Sequence, residues 1–228
     1  AFSAKAAVYG VLLAQKGVAA RMDEPFEGKL GLFKAIAHNK YDPDVITEGL
    51  GENWECAKLR FKPWPCCGTS HGVLDVLISL VKENGIKPEE TEEIHLTINP
   101  VHLRLLEPKE VKYRPLSLAA AKFSIPFSVA LGLKYGAVTL DMYKDEALQN
   151  PELLSIMDKV TFTVCEDESG QEKSAFKDDH AVVSLRTGRG IFSRETYSSL
   201  GSVEKPLSDN QIKDKFLDCF NHSERKYS

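Results

Sequence analysis

No stretch of this chain approaches the roughly 20 consecutive apolar residues of a membrane-spanning helix, so the sequence holds no candidate transmembrane helix. The N-terminal residues lack the basic start, apolar middle and small-residue cleavage site of a signal peptide, and a soluble, cytoplasmic protein is expected. An excess of basic residues is missing too: 29 Lys and Arg stand against 33 Asp and Glu, for a net charge of −4. The two signs are interspersed, which gives no support to a broad nucleic-acid interface. Cysteine is scarce. The five thiols, at positions 56, 66, 67, 165 and 219, are odd in number and include no pair of Cys-x-x-Cys units, so neither a disulfide framework nor a metal site is expected. Cys66 and Cys67 are adjacent and would form only a strained bridge, which argues against a vicinal-thiol redox protein. Internal repeats and low-complexity tracts are absent.

What is present suits a folded core. At 228 residues and 43% hydrophobic, the chain is long enough for one or two domains. Residues 3–16 read as a helix of small and apolar residues, expected to be buried against other helices, and residues 22–41 as a short helix with turns, His38 lying at a surface or helix end. A domain boundary is placed near Glu55. Alternation of Ile94, Leu96 and Ile98 predicts a strand over 93–99, and further strands are expected near 58, 160, 181 and 192. Helices are expected from Val73, from Phe123 to Tyr135 with Pro126 in its first turn, and from Ser208. Residues 109–116 read as loop, and 166–179 as a hairpin or mobile loop. Strands and helices in this order predict an α+β domain with a mostly antiparallel sheet over 56–200, preceded by a helical segment over 1–55 and followed by a C-terminal helix in 201–228.

The stretch from Lys58 to Leu80 carries the most chemistry. Lys58, Arg60 and Lys62 alternate with Leu59 and Phe61; in a strand they would share one face about 6.6 Å apart. Pro63 and Pro65 end that strand. A polar turn, Cys66 to His71, leads into the Val73 helix, with Thr69 or Ser70 available as a cap, and a helix N-terminus favours anions. Lys122 and Ser124, just ahead of the Pro126 helix, are candidates to approach a carboxylate. The same residues also read more plainly as a basic edge strand, a proline-rich connection and a core helix with ordinary caps.

The pattern Lys-Pro-x-Pro-Cys-Cys-x-x-x-His, running from Lys62 to His71 into an apolar helix, resembles the signature of the MmgE/PrpD family. That family includes 2-methylcitrate dehydratases, cis-aconitate decarboxylases and iminodisuccinate epimerases. Ala6-Ala7-Val8-Tyr9-Gly10, Phe123-Ser124-Ile125-Pro126-Phe127 and the closing Gly201, Pro206-Leu207-Ser208 and Lys215-Phe216 are similar to three further family segments in the same order.

The resemblance implies a cofactor-independent lyase acting on a small polycarboxylate, with Lys62, Cys67 and His71 as catalytic candidates at the motif positions; Lys58, Arg60, Lys122 and Ser124 are substrate-binding candidates on their charge and placement alone. An epimerase of a dicarboxylate is a further possibility under the same resemblance. Cys67 stands where decarboxylase-like members have a histidine, which weakens a decarboxylase reading, because a thiol near pKa 8.5 shuttles protons less well at neutral pH than imidazole near 6.5. The resemblance also implies that a long helical region carrying other site residues lies upstream in family members, with a histidine in many of them where Phe2 stands here. The sequence thus corresponds to the second half of such a protein, whether a split subunit, a short protein or a fragment. A homodimer or a partner subunit is expected to cover its N-terminal apolar helix. A non-catalytic domain that binds a ligand or partner is the alternative.

Overall fold

The structure is a computed structural model that describes residues 2–18, 24–38, 40–165 and 179–223. The chain divides into two compact units, residues 1–55 and 56–228. The first contains helix α1 (Phe2–Gln15) and helix α2 (Leu32–Ala37), followed by a single 3-10 turn over Pro43–Ile46. Phe26, Phe33 and Tyr41 stack in series, with ring centroids 5.6 and 4.5 Å apart, and His38 closes α2 in the left-handed region at φ 50°. The expectation that the first helix is buried is not met: no residue of α1 is buried, and Val8, Val11, Leu12 and Leu13 are exposed.

The second unit runs through α3 (His71–Asn84), β1 (Thr91–Ile98), the short α4 (Lys109–Lys112) and α5 (Leu118–Ala121), and α6 (Ile125–Tyr135). It continues with α7 (Asp145–Leu148), α8 (Pro151–Asp158), β2 (Val160–Val164), the hairpin β3 (Ala181–Thr187) and β4 (Gly190–Thr196), and α9 (Asp209–Asn221). The four strands make one sheet in the order β2-β1-β3-β4. β1 pairs with β2 in parallel and with β3 antiparallel, and β3 with β4 antiparallel, so the fold is mixed α+β with a mostly antiparallel sheet, as the alternation predicts.

Period-two burial explains the sheet. Ile94, Leu96 and Ile98 of β1 and Ala181, Val183 and Leu185 of β3 are fully buried, and α3 packs over β3 and β4 beside α6, which in turn packs on α8. The opposite face is polar. There His95 pairs with Thr161 and Thr163 at 2.8 and 3.0 Å, an ordinary solvated-face role. α6 starts on Ser124, whose Oγ accepts from Phe127 N at 3.1 Å, has Pro126 in its first turn and ends on Gly136 at φ 63°. These are the start and stop signals that made it legible.

Three expectations fail for stated reasons. No strand forms near residue 58: Lys58 closes a 3-10 turn over Glu55–Lys58, and in place of a ladder Phe61 N donates to Gly201 O at 2.9 Å. Pro63 and Pro65 supply no N–H to extend a ladder, and both edges of the sheet, β2 and β4, lie elsewhere. Lys109–Lys112 is helical rather than loop, its turn closed by Val111 and Lys112 N–H groups donating to Pro108 O at 3.0 Å. Neither Thr69 nor Ser70 caps α3. A 3-10 turn over Gly68–Ser70 runs straight into the helix, leaving Ser70 in the helical region (φ −78°, ψ −11°) rather than the extended geometry a cap needs. The expected hairpin or loop over 166–179 lies, but for Asp179, outside the described residues. No helix among the described residues is long and apolar enough to cross a membrane.

Candidate anion-binding site

The segment from Leu59 to Cys67, though not a strand, is fastened to the second unit at each end. Arg60 Nη1 donates to Asp179 Oδ1 at 2.7 Å, Phe61 N to Gly201 O at 2.9 Å, and Cys67 N to Lys122 O at 2.9 Å. Gly201 has φ +90°, and a Cβ there would lie 2.0 Å from Phe61 O; only glycine permits this approach. With both ends held, Lys62 to Cys67 forms one wall of a cavity of about 390 Å³. Its lining is Lys62, Trp64, Pro65, Cys66, Cys67, Lys122, Phe123 and Lys215.

That lining holds three lysines and no carboxylate. Lys62 Nζ donates to a carbonyl, Cys66 O, at 3.3 Å, and Lys122 Nζ lies 5.4 Å from the centroid of the Tyr143 ring. Lys215, reached from α9, makes no ion pair or hydrogen bond among the described residues. Several other cations of the unit do have carboxylate partners: Lys205 with Asp75, Lys134 with Glu152, Arg189 with Glu90 and Arg194 with Glu83. Three like charges around one hollow repel one another and favour an anion within it.

The sequence candidates divide accordingly. Lys62, Cys67 and Lys122 are brought together on this cavity. Arg60 is not among its lining residues; its guanidinium serves Asp179, which also accepts from Ser199 N and Oγ at 3.1 and 2.9 Å. Lys58 is exposed in the 3-10 turn before the segment. Ser124 is buried, its hydroxyl donating to Lys112 O at 2.5 Å while accepting from Phe127 N, so its two roles are taken by the end of α4 and the start of α6. The tip of α3 does not open into the hollow either: Thr69, Ser70, His71 and Gly72 are buried. Arg104 donates to Thr69 Oγ1 at 2.8 Å.

His71 sits one layer behind the wall. Its ring meets Trp64 edge-on, with centroids 5.3 Å apart and planes at 82°, and Trp64 in turn lines the cavity. The side chain is fully buried, and neither ring nitrogen has a hydrogen-bond partner among the described residues. Burial foremost, then the charge of Lys62, pushes its pKa down to about 4, with Arg60 adding to the fall and Asp179 opposing it. At neutral pH this is an uncharged imidazole. Burial likewise pushes the Cys66 thiol up to about 12, against the pull of Ser128, Lys62 and Lys215, so it stays protonated and unreactive. Tyr143, behind Lys122, is also raised by burial. Cys67 is half-buried against the core and open to the cavity.

Sequence reasoning missed Trp64, Pro65, Cys66, Phe123 and above all Lys215 as lining residues. The signal for Lys215 was the Lys-Phe pair in the last helix, which the segment-by-segment resemblance singled out without a role. A neighbouring hollow of about 510 Å³, between α3 and α9, shares Trp64 and Lys215 but mixes acidic and basic residues, Asp75, Asp214, Asp218 and Lys82 among them. On its far side Asp141, Asp218 and His222 gather within 4.8 Å at the surface. Hydrogen bonds explain that grouping: His222 binds Asp218 O at 2.7 Å and Asp141 Oδ1 at 3.0 Å, clasping α9 to residues 140–142. The same two partners raise its pKa.

Comparison with known proteins gives a consistent picture. A sequence profile described as the MmgE/PrpD C-terminal domain matches residues 64–226. The chain is 25% identical over 228 residues to the cis-aconitate decarboxylase-like protein oryM of Aspergillus oryzae, covering 95% of this chain and 46% of that protein. It is 27% identical over 223 residues to a cis-aconitate decarboxylase of Aspergillus terreus, covering 90% of this chain and 42% of that enzyme. The chain therefore spans less than half the length of the curated relatives it matches.

Proposed function

The chain belongs to the MmgE/PrpD family, and from that premise we propose that it supplies the cation-lined part of a site for a small polycarboxylate in a cofactor-independent lyase. The observation that carries this reading is the cavity walled by Lys62, Lys122 and Lys215 with no acidic residue in its lining. Ammonium groups at a carboxylate make it easier to build negative charge on the neighbouring carbon, which is what loss of water or of carbon dioxide from such an acid requires. Lys62 is the residue assigned that role, being on the stiffened Pro63-Trp64-Pro65 wall. Cys67, open to the same hollow, is the candidate to move a proton. His71 contributes as a neutral ring that fixes Trp64 rather than as an imidazolium.

One observation favours a second reading. Among the lining residues no imidazole or carboxylate is present, and Cys66 is held protonated, so the hollow is better equipped to bind an anion than to act as general base. In that reading the domain binds the acid and another polypeptide segment supplies the base. A related chemistry, epimerisation of a dicarboxylate, would need the same missing base.

The test is calorimetric titration of the chain with citrate, joined to an assay for its dehydration or decarboxylation products. Lys62→Ala is expected to weaken citrate binding about tenfold, the scale of one charge-assisted contact. Steady product formation by the chain alone supports the lyase reading, and binding without turnover supports the second. No binding that depends on Lys62 sinks both.

A further inference from the structure

The three lysines of the cavity do not come from one element. Lys62 stands on the proline-stiffened segment and Lys122 just before α6, and their backbones are coupled through the Cys67 N to Lys122 O bond at 2.9 Å. Lys215 comes from α9, a helix in which no residue is buried. Gln211, Asp214, Lys215 and Asp218, spaced along one side of α9, line the larger hollow, and of these only Lys215 also reaches the smaller one. Lys62 and Lys215 nevertheless line the same cavity, together with Cys66. Neither has a carboxylate partner among the described residues.

Resting on the anion-cavity reading above, we infer that Lys215 is a specificity-determining residue, the third charge by which the site selects acids with three carboxylates over acids with two. Lys62 and Lys122, tied together through the backbone, form a fixed pair sufficient for two carboxylates. A third carboxylate needs a third cation, and the only other one in the lining is on α9. Discrimination of this kind comes from matching the number of charges at the site more than from any single strong contact. It also makes α9 a ligand-responsive element: with little burial to hold it, an anion bridging Lys215 to Lys62 adds a tie between helix and domain.

The experiment titrates the chain calorimetrically with citrate and with succinate, in wild type, Lys215→Met, Lys215→Arg and Lys62→Met, with near-ultraviolet circular dichroism to show that each variant is folded. Lys215→Met is expected to lose about tenfold in citrate affinity while succinate affinity changes less than about twofold, and Lys215→Arg to restore most of the loss. Backbone amides of α9 are expected to exchange more slowly with citrate present, and not with succinate. Equal losses for both acids in Lys215→Met, or no loss for either, overturn the inference. If Lys62→Met weakens both acids while Lys215→Met weakens neither, the cavity reading stands and the role of Lys215 alone falls. If wild type binds neither acid, both fall together.

Discussion

Asp179 accepts from Arg60 at 2.7 Å with a carboxylate that is 1% exposed, joining positions 119 residues apart. The same carboxylate accepts two bonds from Ser199, and the Asp179 carbonyl lies against Gly72 at the start of α3. One residue thus pins three pieces of chain: the cavity wall, the loop after β4 and the first turn of α3. Arg60, which alternates with Lys58 and Lys62 in sequence, is spent on this pin rather than on a ligand.

Replacing Asp179 by Ala is therefore expected to destabilise the second unit by about 3 kcal/mol, because a buried guanidinium loses its counter-charge and two Ser199 donors lose their acceptor. Urea denaturation checks the value. Citrate binding, measured well below the denaturation midpoint, should weaken as well, since the wall carrying Lys62 is loosened. Lys62→Ala is the contrasting case, affecting binding with little change in midpoint, as expected for an exposed side chain.

Gly72 gives a prediction of unusual sign. Replacing glycine by alanine inside a helix normally gains about 1 kcal/mol. At Gly72, however, a Cβ would sit 2.0 Å from the Asp179 carbonyl oxygen and 2.9 Å from its carbon, both backbone atoms that cannot swing aside. Gly72→Ala should lose more than about 2 kcal/mol, read as a lowered urea midpoint. In Gly10→Ala, where the added methyl meets nothing within 4 Å, the ordinary sign should hold and helix content in α1 should rise.

These cases show which parts of the molecule could be read in advance. The sheet was legible because burial on one face imposes strict alternation, as at Ile94, Leu96 and Ile98, and α6 was legible because Ser124, Pro126 and Gly136 mark its ends locally. The cationic segment does not form the expected strand because its period of two is real while its pairing is not: a strand needs a paired neighbour, and the backbone bond here goes to Gly201, far off in sequence. The candidate site was half legible for the same reason. Lys62, Cys67 and Lys122 belong to recognisable local patterns, and the motif was informative there. The commitment of Arg60 to Asp179, the use of Ser124 as a cap and the arrival of Lys215 from the last helix are all set by long-range packing, which local spacing does not encode.

His71 supplies a test of burial through pH. In the unfolded chain its imidazole takes up a proton near pH 6.5, whereas in the folded unit burial and the charge of Lys62 hold its pKa down at about 4. Between those values the unfolded state binds a proton that the folded state does not, so stability rises with pH across the window and is lost as pH falls from 6.5 toward 4. Below about 4 both states are protonated and this contribution stops changing. The expected slope from this one group is about 1.4 kcal/mol per pH unit inside the window. Wild type and His71→Gln are to be denatured with urea at half-unit intervals from pH 4 to 7.5. The same carboxylates are present in both proteins, so the difference between the two curves reports the replaced histidine. His71→Gln should lie below wild type at pH 7, because the packing against Trp64 changes, yet it should lose less stability on acidification, and the two curves should converge or cross as pH 4 is approached. Parallel curves would mean that His71 titrates in the folded unit as it does in water, and that the neutral ring assigned to it behind the cavity wall is wrong.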